Sequence, residues 1–339
     1  MKERIFVLDG ARGIAAFCIL LFHLAAPTLK VFENFYIAVD FFFVLSGFVL
    51  ADSITMIRTP ENLKKFLVAR YFRIAPMLLS VLSFYLAYDF FFIVRNSIMK
   101  LGEPNLILLE PLTILFSLTF FQIFYQPALL VLFPAWSLSA EWIVNLIFPL
   151  FSKLKKKGVF LCLMLGALMI EISEVFGVAA MSQLGRALWG FTLGFVAFRF
   201  RNLIDVSDFQ LLFMLLILIS FGMIAPNLGQ HQFVFSGLLF SVIVMGISHK
   251  KLGRRANVVA KFLGEFSYGF YLWHFPILLT VGEFLNRSLR FNSVVINLQL
   301  TALGLLTVVL TLLATALSIR FIERPMRSWA NVRFNLGKK

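Results

Sequence analysis

Apolar blocks too long for any soluble core, joined by short basic connections, decide what this chain can fold into. They run roughly 6–26, 35–56, 75–94, 158–176, 184–198, 209–225, 233–248, 264–285 and 293–319. Blocks that approach or exceed ~18 residues are read as helices crossing a bilayer. Composition agrees, at 60% hydrophobic, 14% charged and a mean hydropathy of +0.90, where soluble domains stay near half apolar and about a quarter charged. Disorder, a coiled coil and a secreted disulfide scaffold are excluded. The expectation is an all-α integral membrane protein.

The net charge of +14 (31 Lys+Arg against 17 Asp+Glu) would point to nucleic acid in a soluble chain, but here the cations sit between apolar blocks, where the positive-inside rule places them. Lys2 and Arg4 put the N-terminus inside. The segments holding Arg58 to Arg73, Lys153 to Lys157, Arg199/Arg201, Lys250 to Lys261 and Arg320 to Lys339 follow on the same side. This alternates only if 111–152, broken by Pro127 and Pro134, crosses an odd number of times. One span plus a re-entrant piece at 127–142 gives about ten transmembrane helices with both termini cytoplasmic. Non-helical backbone at that depth implies an internal polar cavity. No internal repeat or long linker is visible, so residues 1–339 read as a single domain. Cys18 and Cys162 lie inside apolar blocks and suit neither a disulfide nor a metal.

An ionisable group at membrane depth is expensive and marks function. His23 lies ~25 Å along the first helix and Asp40 descends from the outside to nearly the same level. That level match predicts a His–carboxylate pair able to act as a general base, or else a packing histidine beside a wet aspartate. Arg12 lies ~16 Å inward of His23 and can pair with Asp9 three residues earlier. Arg70 and Arg73, expected just before the third helix, suit phosphate oxygens or lipid headgroups. Glu141 falls in the re-entrant piece, and His274 near mid-membrane shares an i,i+3 face with Tyr268 and Tyr271. Asp89, Glu171, Glu174 and Glu283 are expected to be solvated near outer helix ends. Phosphate-binding glycine loops, metal patterns and the Gly-x-Ser-x-Gly elbow are absent from the sequence, which argues against a nucleotide-driven pump or a metalloprotease.

Six segments, taken together, carry a resemblance: Leu8-Asp9-Gly10-Ala11-Arg12-Gly13 with His23 eleven residues beyond Arg12, Val39 to Phe48 (VDFFFVLSGF), Arg70-Tyr71-Phe72-Arg73-Ile74-Ala75-Pro76, Trp136 to Glu141 (WSLSAE), Ser267 to Pro276 (SYGFYLWHFP) and Glu323-Arg324-Pro325. In this order they resemble the membrane acyltransferase-3 family, which includes O-acetyltransferases acting on O-antigen, exopolysaccharide and Nod-factor type acceptors. Ala38 replaces the glycine usual before Val-Asp, and Trp142 follows Glu141 where the family often has a polar residue.

The resemblance implies a multi-pass enzyme of the bacterial cytoplasmic (inner) membrane. It would move an acyl group, usually acetyl from acetyl-CoA, to a hydroxyl of a cell-surface glycan, with no metal and no nucleic acid involved. The family's frequent fused extracytoplasmic domain is not expected here. On this reading Arg12, Arg70, Arg73 and Ser46 form the donor-binding set, and His23, Asp40, Glu141 and His274 the catalytic one. His23 would take the acceptor's proton or carry the acyl group, with Asp40 orienting it; Ser46, Glu141 if protonated, and His274 are the candidates for the oxyanion donor. Two rivals remain open: a proton-coupled transporter or flippase using the same buried groups as a relay, and a structural assembly subunit.

Overall fold

The computed structural model describes residues 4–26, 29–100, 110–126, 132–203, 206–288 and 296–336, and no strand occurs among them. The helices are α1 Phe6–Ala25, α2 Ala38–Thr55, α3 Pro60–Met99, α4 Pro111–Leu118, α5 Trp136–Ser152, α6 Lys155–Phe176, α7 Ala179–Phe200, α8 Asp208–Ile224, α9 His231–Ile247, α10 Arg254–Ser288, α11 Ile296–Ser318 and α12 Arg324–Arg333. A 3₁₀ stretch, Lys30–Ile37, leads into α2, a 3₁₀ turn, Phe133–Ala135, into α5, and a π-helical turn, Ile319–Glu323, joins α11 to α12. The architecture is all-α, as the blocks predict.

Among the described residues, five helical stretches are long and apolar enough to cross a membrane: Phe6–Ala25, Lys30–Thr55, Pro60–Met99, Lys155–Phe176 and Ala302–Arg333. The others are shorter, 17 residues in α5, α8 and α9, or carry charged side chains among apolar ones, as α7 does with Arg186 and Arg199 and α10 with Arg254 and Arg255. Of the segment expected to be re-entrant, 127–131 lie outside the described residues, while 136–142 open the regular helix α5. Glu141 therefore stands on a helix.

The third helix begins earlier than its apolar block. Thr59 caps it, accepting from the Asn62 amide at 3.2 Å, and Pro60 occupies its first turn, a start signal that needs no apolar side chains. Its 40 residues place Arg70 and Arg73 within the helix rather than before it. The same extension, to a left-handed Lys100 with φ 53°, carries helix past Asp89, which is fully buried and not solvated as expected. Glu171 does lie near the surface, where it meets His231. The Glu283 side chain lies outside the described residues.

Small residues set which helices touch. A Cβ on Gly47 of α2 would come within 1.9 Å of the Phe191 carbonyl oxygen of α7, and one on Gly194 within 1.8 Å of that of Val44. Such backbone-to-backbone approach is how membrane helices pack in the absence of a hydrophobic driving force. On the other side of the molecule, a Cβ on Gly264 of α10 would meet the Asp9 Cβ of α1 at 2.5 Å, and one on Gly13 the Leu263 Cβ at 2.5 Å. Asp40 meets Arg186 while Gly194 lies against Val44 and Phe48, and Gly10 lies against Ala260 while His23 meets His274, so α2 runs parallel to α7 and α1 parallel to α10. The α9 helix packs on α2 and α7, and α11 on α10.

Candidate active site

Helices α1, α2, α3, α5 and α10 enclose a cavity of ≈ 120 Å³ whose wall includes Arg12, Ser46, Arg70, Arg73, Glu141 and Tyr271. The whole expected donor-binding set thus meets in one place, with Glu141 beside it. Each cation reaches the wall for a local reason. The α1–α10 glycine contact brings Arg12 against α10, where its guanidinium donates to the Gly264 carbonyl at 2.7 Å and the Ser267 hydroxyl at 2.9 Å while also reaching Asp9 at 3.3 Å. Arg70 donates to Oε1 of Glu141, and the same oxygen accepts the Ser46 hydroxyl at 2.7 Å. Arg73, one turn on, donates to Glu323 at 3.1 Å, which also accepts from Arg327 at 2.9 Å.

Of the three carboxylates that balance these cations, only Glu141 is in the cavity wall; Asp9 and Glu323 stand behind it. The interior is therefore cation-rich, and the Nε of Arg70 is buried without a partner among the described residues. Planar guanidinium forks in such a setting match the oxygens of phosphate. Oε1 of Glu141 accepts from both Ser46 and Arg70.

The histidines lie one layer beyond the cavity, outside its lining. Tyr271 separates them: its hydroxyl donates to the Pro134 carbonyl at 2.6 Å and accepts from Ser137 at 2.8 Å. Three residues further along α10, about one helical turn, His274 is fully buried and its Nε2 lies 3.2 Å from Nδ1 of His23. The rings of Phe22, Phe275 and Phe133 stand edge-on to His23, with centroids 4.9, 5.2 and 6.2 Å away.

The expected His23–Asp40 pair is not formed. Asp40 is buried, and its two oxygens accept from Arg186 Nε and the Ser236 hydroxyl, each at 2.8 Å. The Arg186 guanidinium lies over the Phe233 ring at 3.8 Å and the Trp136 ring at 5.1 Å. The physical reason is azimuth. Residue spacing gives depth along a helix, but α1 turns its small-residue face to α10 while α2 turns the Asp40 face to α7 and α9. His23 and Asp40 share a level and face different neighbours.

The model of the acyltransferase domain family matches residues 5–319. The chain belongs to that family. A relative described as "Protein 2 in picA locus", from Rhizobium radiobacter, is 30% identical over 155 residues, covering 43% of this chain and 81% of that protein. No solved structure matches the chain. The recognition made from the six motifs is thereby borne out, and the motifs acquire contacts in this acyltransferase: Glu323 of the terminal Glu-Arg-Pro holds Arg73, and Ser267 of the α10 motif holds Arg12. Sequence reasoning missed Arg186. The signal was present, since Arg186 lies inside the 184–198 apolar block and the rule that singled out His23 applies to it equally.

Proposed function

We propose that this membrane acyltransferase transfers an acetyl group from cytoplasmic acetyl-CoA to a hydroxyl of a cell-surface glycan. The observation that carries the reading is the cation-rich cavity, with three guanidiniums and one carboxylate in its wall, capped by the Tyr271–Ser137 layer with the histidines beyond. Arg70 and Arg73 bind donor phosphates, and Arg12 guides the pantetheine arm toward the cap. At the histidine layer Nε2 of His23 removes the proton of the acceptor hydroxyl as its oxygen attacks the thioester carbonyl carbon. The tetrahedral intermediate collapses by breaking the carbon–sulfur bond, and the thiolate of CoA takes the proton from His23, which restores the neutral ring. Ser137 or Tyr271 at the cap would donate to the oxyanion by turning its hydroxyl from its present acceptor.

The same reading places the enzyme in the bacterial inner membrane with about ten crossings and both termini cytoplasmic. The parallel course of α2 and α7 supports it: with α3 and α6 each crossing once, two further crossings in 111–152 would make that pair antiparallel. The test is acetyl-CoA turnover by protein reconstituted in lipid, with glycan extract as acceptor. Acceptor-dependent release of CoA that disappears in His23→Ala is expected. No release from acetyl-, succinyl- or longer acyl-CoA by folded protein would transfer the case to the proton-coupled transporter.

A further inference from the structure

The two buried histidines fix one another's protons. Nδ1 of His23 lies 2.9 Å from the Ile19 carbonyl oxygen. A carbonyl can only accept, so this nitrogen carries the proton, and the lone pair of the neutral ring is on Nε2. Nε2 of His274 faces the same Nδ1 at 3.2 Å. Two N–H groups cannot point at each other, so His274 presents a lone pair there and holds its own proton on Nδ1. That nitrogen is buried and has no hydrogen-bond partner among the described residues. In the opposite arrangement, with His274 donating, the bare Nδ1 of His23 would set its lone pair against the Ile19 carbonyl.

We infer that His274 is the positioning residue of His23, filling the place that sequence reasoning gave to Asp40; the inference rests on the acyl-transfer reading for its catalytic consequence. By accepting from Nδ1 alongside the Ile19 carbonyl, His274 strengthens the hold that keeps the basic lone pair of His23 on Nε2, the nitrogen left to meet an acceptor. When Nε2 takes a proton, the bond from Nδ1 to His274 becomes charge-assisted and stronger. This steadies the imidazolium with a neutral partner, because Asp40 is committed to Arg186 and Ser236. The ring plane is held as well. Tyr271 pins the Pro134 carbonyl, which keeps Phe133 edge-on to His23.

The test combines spectroscopy and kinetics. In ¹⁵N-histidine-labelled protein in nanodiscs, the signals of His23 among the four histidines are assigned by their loss in His23→Asn. A pyrrole-type Nδ1 and a pyridine-type Nε2 are expected for His23. In His274→Phe only the Ile19 carbonyl is left to hold the Nδ1 proton, so the Nε2-protonated tautomer should become detectable, and kcat should fall at least about tenfold, as wrong-tautomer histidines do elsewhere, with KM for acetyl-CoA within about twofold. His274→Gln, whose carbonyl oxygen can accept from Nδ1, should recover part of kcat. A protonated Nε2 on His23 in the wild type, an unchanged kcat in His274→Phe, or no recovery in His274→Gln would overturn the inference. The spectrum needs no turnover. The expected tautomer in a protein that transfers no acyl group would sink the acyl-transfer reading and leave the pair standing, whereas turnover with the opposite tautomer would do the reverse. If neither variant folds, the wild-type spectrum decides through His274 itself: a pyridine-type Nε2 supports the inference and a protonated Nε2 overturns it.

Discussion

Alanine at the α2–α7 crossing is the sharpest test of the architecture on which the site depends. A methyl group on Gly47 would lie 1.9 Å from the Phe191 carbonyl oxygen, and one on Gly194 1.8 Å from that of Val44, where ordinary contact starts at 3.4 Å. Each shortfall is about 1.5 Å, and each obstacle is backbone, so no rotamer change relieves it. The helices must separate, loosening the buried Phe43, Val44, Phe48 and Phe191 side chains between them. Overpacking costs about 1–3 kcal/mol and this case sits at the upper end; the better helix propensity of alanine returns up to about 1 kcal/mol. The net loss for Gly47→Ala or Gly194→Ala is about 2 kcal/mol, a fall of roughly 4 °C in melting temperature measured in detergent or nanodiscs. One separation accommodates both methyls, so the double variant should lose clearly less than the two single losses added together. Gly222→Ala is the control, because a Cβ there meets nothing within 4 Å. If both crossing variants melt with the wild type, α2 and α7 are not in backbone contact and the argument that positions Asp40, Arg186 and Ser46 fails.

The remaining expectations follow from individual contacts. Arg186→Met leaves the buried Asp40 carboxylate with only Ser236 and should cost about 3–5 kcal/mol, whereas pairing it with Asp40→Leu should restore most of the lost stability; thermal unfolding of the two single variants and the double variant checks this. Arg73→Gln frees Glu323 to Arg327 alone and removes a phosphate ligand, so KM for acetyl-CoA should rise about tenfold, some 1.4 kcal/mol, with a smaller change in kcat. Tyr271→Phe deletes the donation to Pro134 and should lower stability by about 1 kcal/mol. It should also reduce kcat while leaving donor KM unchanged, since Tyr271 caps the cavity without touching the arginines.

Much of this was legible in the residues, and the rest failed for one physical reason. Apolar block length and flanking charge give helices and their depth, because an α-helix rises a fixed ~1.5 Å per residue. His23 could thus be given a depth, but His274, expected near mid-membrane, lies level with it, because α10 begins at Arg254, ten residues before its apolar block. The onset of α3 was misjudged because its first turns are polar; the Thr59-Pro60 cap carries that information, and hydropathy does not. Which partner a buried group faces is a matter of rotation about the helix axis, and depth says nothing about it.

That rotation was nonetheless written in the glycines. Gly10 and Gly13 mark one face of α1, and the Cβ positions of both fall against α10, at Ala260 and Leu263; Gly190 and Gly194, spaced four apart on α7, fall against Phe43 and Val44 of α2. Small residues four apart are the faces along which membrane helices close. Read this way, the small-residue faces of α1 and α7 stand out in the sequence, and the structure supplies their partners, α10 and α2. A histidine in the last turn of α1 must then look for its partner on α10, where His274 is the only histidine in the helix. An aspartate near the start of α2 must look to the start of α7, where Arg186 stands eight residues before Gly194. The mispairing of His23 with Asp40 came from matching charges by level alone. Matching the small-residue faces first, and the ionisable groups second, assigns both pairs.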